Sequence, residues 1–62
     1  MISLTALGGR ARRIAPSAII SLAAVKHGQH DGEHKVQTEV VLVNGPSLWV
    51  YEPIEDIEKM LP

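Results

Sequence analysis

From residue 36 the chain alternates in the manner of an extended strand. Val36, Thr38, Val40 and Leu42 fall on one side, and Gln37, Glu39, Val41 and Val43 on the other. Residues 47–51 repeat the period, with Leu48 and Val50 opposed to Trp49 and Tyr51. Both runs are dense in β-branched and aromatic side chains, and Asn44-Gly45 between them is the dipeptide best suited to the positive φ angles of a tight hairpin turn. The pattern predicts strand, two-residue turn, strand. A helix follows: Pro53 suits its first position, Glu55, Asp56 and Glu58 place negative charge toward its N-terminal end, and Ile54, Ile57 and Leu61 share one face.

The first half reads less sharply. Ile2-Ser3-Leu4-Thr5-Ala6 alternates, Gly8-Gly9 marks a turn, and Arg12-Arg13-Ile14 returns as a short second strand. Pro16-Ser17 punctuates. Residues 19–25 form a third strand on the strength of Ile19, Ile20 and Val25, although alanines dilute the signal. Residues 26–35 hold two glycines, three histidines and no aliphatic side chain, and read as a solvated loop. The expected architecture is α+β and mainly β: a small, curved, five-stranded antiparallel sheet or open barrel with one C-terminal helix, all in a single domain spanning residues 1–62.

Length sharpens the question of partners. A chain of 62 residues buries only about 60% of its unfolded surface on folding. With no cysteine there is no disulfide to compensate, so self-association or docking on a protein partner is the expected source of further buried area. Two readings of the sheet remain open. In one, the helix and the N-terminal hairpin bury both faces; in the other, Trp49, Tyr51, Val41 and Val43 form a contact surface for another chain, with Leu48 and Val50 in the core. The formal net charge of −1, with both signs mixed, argues against a protein that binds nucleic acid through bulk charge. No run approaches the roughly 20 apolar residues of a membrane span, and residues 1–7 lack a basic flank. A soluble cytoplasmic protein is expected.

Three groups of residues bear on chemistry. His27, His30 and His34, interleaved with Asp31 and Glu33, are of the right types to ligate a transition metal, but two glycines leave the segment without pre-ordering, and no metal or other cofactor is expected. Arg10, Arg12 and Arg13, with Lys26, are candidate nucleic-acid contacts on an exposed hairpin, although alternation puts Arg12 and Arg13 on opposite faces. Ser17, Ser21 and Ser47 lie in no nucleophile-elbow setting, and the acidic residues of the helix are explained by its dipole, so no catalytic set is expected.

Residues 1–9 (Met-Ile-Ser-Leu-Thr-Ala-Leu-Gly-Gly), Ile14, Ile19-Ile20, residues 40–45 (Val-Val-Leu-Val-Asn-Gly), Val50-Tyr51-Glu52 and the terminal helix resemble the FlbD family of small flagellar and swarming-motility proteins. The resemblance spans nearly the whole chain. It implies a non-catalytic accessory role through protein–protein contact. The longer histidine-bearing segment, residues 27–34, and Pro53 in place of serine depart from the family pattern and suggest a divergent branch, of bacterial or phage origin. The sheet-and-helix end of LytTR-type DNA-binding domains is similar over about two-thirds of the chain. A small nucleic-acid-binding regulator using the arginine hairpin is therefore the alternative function.

Overall fold

A computed structural model describes residues 1–26 and 29–62. In chain order the elements are β1 (Ile2–Ala6), β2 (Arg10–Ile14), β3 (Ile19–Ala24), β4 (His30–Asp31), β5 (His34–Lys35), β6 (Thr38–Leu42), β7 (Leu48–Val50) and α1 (Ile54–Met60). Five strands form one antiparallel sheet in the order β2-β1-β7-β6-β3, which is not closed into a barrel, while among the described residues β4 and β5 pair only with each other. The fold is mainly β with a single C-terminal helix, as the alternation implies.

The alternating positions sort themselves by burial. Ile2, Leu4, Ile14, Val40, Val50 and Ile57 make one core cluster, against which Leu22, Leu42, Leu48 and Leu61 pack. All the strand members of that cluster lie on the same face of the sheet, because cross-strand partners such as Ile2 and Ile14 share a face. Helix α1 lies on this face through Ile57, which is fully buried. Thr38 is also fully buried; its hydroxyl donates to the Glu52 carbonyl at 2.7 Å, so the polar group in the core is satisfied.

Connection length explains the curvature. Strands β2 and β3 are opposite edges of the sheet, yet only residues 15–18, including a 3-10 turn over Pro16–Ala18, join them. A flat sheet would hold its edges about 19 Å apart, four spacings of about 4.8 Å. Five Cα steps reach about 17 Å fully extended, and a 3-10 turn shortens them. The sheet must therefore curl and twist until the end of β2 meets the start of β3, with the core on the concave side.

Three local expectations are corrected. Neither Asn44 nor Gly45 has positive φ, and the link between β6 and β7 is a five-residue loop, residues 43–47, instead of a two-residue turn. Pro46 is the reason: it has no N–H to close the turn, and it drives the residue before it toward extended backbone. Pro53 stands at the N-cap of α1, one position before the first helical residue, and its carbonyl accepts from Asp56 and Ile57. The segment read as a solvated loop contains the β4–β5 ladder, turned at Gly32 with φ 65°.

Candidate contact surface

The face of β6 and β7 opposite the helix carries Val41 and Trp49, and the other two residues singled out from the sequence, Val43 and Tyr51, lie just past the ends of these strands. Register places Trp49 directly across from Glu39, and Glu39 across from Ala23, so these three form a row over three adjacent strands. Val41 lies beside this row, paired with Ser21. Trp49 and Val41 are half-buried, and Val43, just past the end of β6, is 51% exposed. Because α1 covers the Leu48 and Val50 face, it cannot also cover Trp49.

Tyr51 has a different setting from its neighbour Trp49. Its ring stacks on His34 with centroids 4.9 Å apart and planes 11° from parallel. Its hydroxyl donates to the Asp31 carboxylate and accepts from the Gly9 N–H at 3.1 Å. Asp31 also accepts from the Gly8 N–H. The Gly8-Gly9 turn can point both N–H groups this way because Gly8 and Gly9 adopt φ of 78° and 73°, a region closed to most side chains. The β4–β5 ladder is thereby latched to the sheet. The Tyr51 hydroxyl and the Gly8 N–H hold the Asp31 carboxyl below its ordinary range, and the bond to Asp31, with its adjacent negative charge, pushes the Tyr51 phenol up. Tyr51 thus shares the Trp49 face, but one side of its ring is occupied by His34 of the same chain.

The polar candidates do not converge. Arg10, Arg12 and Arg13 are all exposed on the edge strand β2. Arg10 and Arg12 lie on the Ile14 side and Arg13 on the other, as their partners Ala6, Leu4 and Ser3 show. Lys26 follows β3, the opposite edge of the sheet. His30 and His34 stand on the two strands of the β4–β5 ladder, where they pair with Lys35 and Asp31 respectively. His27 lies outside the described residues. Among the described residues no three of His, Cys, Asp and Glu gather so as to hold a metal ion. A groove of about 350 Å³ runs beside the β6–β7 loop, with Leu42 and Leu48 along it and Arg12 at its rim.

No protein-family model, curated protein or solved structure matches the chain.

Sequence reasoning placed Trp49, Val41 and Val43 on one face but missed two features. Asp31 and His34 are of metal-ligating type in a segment from which no metal is expected; both instead meet Tyr51, and no local pattern announces a bond across 20 residues. The second is the β3 edge. A run of uncharged residues from Ile19 to Ala24 was visible, but its edge position follows only from the pairing of β1 with β7.

Proposed function

We propose that the protein is a non-catalytic protein–protein contact module of the cytoplasm, an accessory of the kind the FlbD resemblance implies, in a bacterial or phage-encoded form. The observation that carries this reading is the Trp49 face, which the helix does not cover. A half-buried indole, directly across from Glu39 and diagonal to half-buried Val41, sits on the side of the sheet opposite the helix, with exposed Val43 further along, just past the end of β6. Aromatic side chains with an apolar surround are enriched at the cores of protein interfaces. The absence of any helix among the described residues long and apolar enough to cross a membrane agrees with a peripheral accessory role.

A photoreactive residue placed at Val43 in cells that express the protein tests it. A discrete protein adduct from position 43, absent from the same residue placed at Glu58 on the helix and lost on Trp49→Ala, is the expected result. Nucleic-acid binding that is steeply salt-dependent and abolished by replacing Arg10, Arg12 and Arg13 with glutamine, with no protein adduct, would favour the regulator alternative instead.

A further inference from the structure

Strand β3 is an edge with few of the defences that edge strands carry. It pairs with β6 on one side, and among the described residues no strand pairs on the other. The bond from the Val25 N–H to the Gln37 carbonyl, 3.0 Å, sets the phase of the ladder. Val25, Ala23 and Ser21 direct their backbone groups toward β6, so Leu22 and Ala24 direct N–H and C=O outward. Ser21, Ala23 and Ala24 are exposed. Charged residues, proline and bulges ordinarily blunt such an edge. Here a bulge is present, at Ile20 between Ile19 and Ser21, and α1 packs beside β3, but the stretch from Ser21 to Ala24 stays regular, with Ser21, Ala23 and Ala24 exposed.

The two edges of the sheet differ in charge. Strand β2 carries Arg10, Arg12 and Arg13, and pairing it with its own copy would set arginine against arginine or strip water from guanidinium groups. Strand β3 has no charge along its length. Repulsion therefore closes one edge and leaves the other for a partner with an equally small and neutral strand. A second copy of β3 has those properties.

We infer that two copies of the chain join through their β3 strands, antiparallel, about a two-fold axis normal to the sheet at Ala23. Such an axis keeps the core faces of both sheets on one side, so partners across the seam must belong to the same face. Ala23 then lies opposite Ala23 of the partner subunit as a non-hydrogen-bonded pair, where Cα atoms approach to about 4.5 Å. Leu22 exchanges both backbone bonds with Ala24 of the partner subunit, and Ala24 with Leu22 of the partner subunit. Those bonds use the outward groups of β3 from Ser21 to Ala24. The sheet becomes ten-stranded, and the row of Ala23, Glu39 and Trp49 continues through the axis into its copy. The two indoles stand on one continuous face, five strand spacings or about 24 Å apart measured along the curved sheet. This builds on the contact-module reading: the dimer would offer its partner two Trp49 sites at once.

The chain has no cysteine, so single cysteines report the seam directly. Ala23→Cys should form an intermolecular disulfide under mild oxidation, since a pair about 4.5 Å apart falls within the disulfide range. Val43→Cys on the Trp49 face and Ala11→Cys on β2 should cross-link at least about ten-fold more slowly, because their thiols meet only by collision. In parallel, Ala24→Pro removes one outward N–H without touching the β6 ladder. It should sediment as a monomer with the circular dichroism of the parent, whereas the parent sediments as a dimer in the micromolar range. Equal cross-linking rates at the three positions, or a parent that remains monomeric, would overturn the β3 seam. Fastest cross-linking at position 43 would overturn it too while leaving the contact face in use. Loss of the position-43 protein adduct would instead overturn the contact module and not the seam.

Discussion

The Glu52 carboxylate accepts from both the backbone N–H and the hydroxyl of Thr5. The N–H lies 2.8 Å and 3.0 Å from the two carboxylate oxygens, and the hydroxyl 2.8 Å from one of them. Strand β7 ends at Val50, and the last backbone bond to β1 runs from the Tyr51 N–H to the Thr5 carbonyl at 2.9 Å. Beyond that point β1 would present an unpaired donor, and the Glu52 side chain takes the place of the missing strand.

Glu52→Ala should accordingly cost about 1.5–3 kcal/mol, the range for hydrogen bonds to a charged group. Glu52→Gln should cost less, because the amide oxygen still accepts from the Thr5 N–H and the amide nitrogen can donate to the hydroxyl. Urea unfolding of both variants measures this. A double-mutant cycle with Thr5→Val then isolates the hydroxyl's share. Equal stability of parent and Glu52→Ala would show that the carboxylate does not complete the sheet.

The Asp31–Tyr51 latch should respond to pH at both ends of the scale. Asp31 has its pKa lowered on folding, so the stability it adds is present above the ordinary carboxylate value of about 3.9 and is lost as pH falls through the lowered value. Tyr51 has its pKa raised, so its contribution is present below the ordinary phenol value of about 10 and is lost as pH rises through the raised one. Tyr51 is the only tyrosine, so ultraviolet absorbance follows it alone. Asp31→Asn should return its titration toward the ordinary value. An unchanged titration midpoint in that variant would rule out the latch.

Trp49→Ala and Ile57→Ala should separate surface from core. Ile57 is fully buried between the helix and the sheet, and its truncation should cost about 2–5 kcal/mol. Trp49 is half-buried on the opposite face, and its truncation should cost only about 1–2 kcal/mol of folding stability. Thermal unfolding of each variant provides the comparison. A Trp49→Ala loss as large as that for Ile57→Ala would place the indole in the folding core and remove it as a contact residue.

Gly8→Ala should destabilise by about 1–2 kcal/mol through backbone conformation alone. A methyl group at this position would meet no atom within 4 Å, but φ is +78°. A chemically synthesised chain with D-alanine at position 8 should be at least as stable as the parent, because the mirror-image residue favours positive φ. If both enantiomers destabilise equally, the cost is steric and the conformational account fails.

The alternation of residues 38–50 and the face formed by Ile54, Ile57 and Leu61 made the β-rich architecture legible, since burial on one side of an element leaves a period in the chain. The Gly8-Gly9 turn was equally legible, because positive φ has a residue type of its own. The Asn44-Gly45 turn shows how such local signals fail: the next residue, Pro46, has a stronger claim on the backbone than the pair's own preference.

What the sequence determines by itself is therefore local: which segments extend, which coil, which side of each turns inward, and that no disulfide ties them together. Tertiary structure alone decides that β1 pairs with β7, and this single long-range choice makes β2 and β3 the edges, one lined with arginine and the other neutral. It also brings Asp31 to Tyr51 and Glu52 to Thr5. Periodicity cannot encode these relations, because it records which face of a strand is buried and not which strand lies beside it. That choice follows from the whole chain satisfying its backbone groups and closing its core at once.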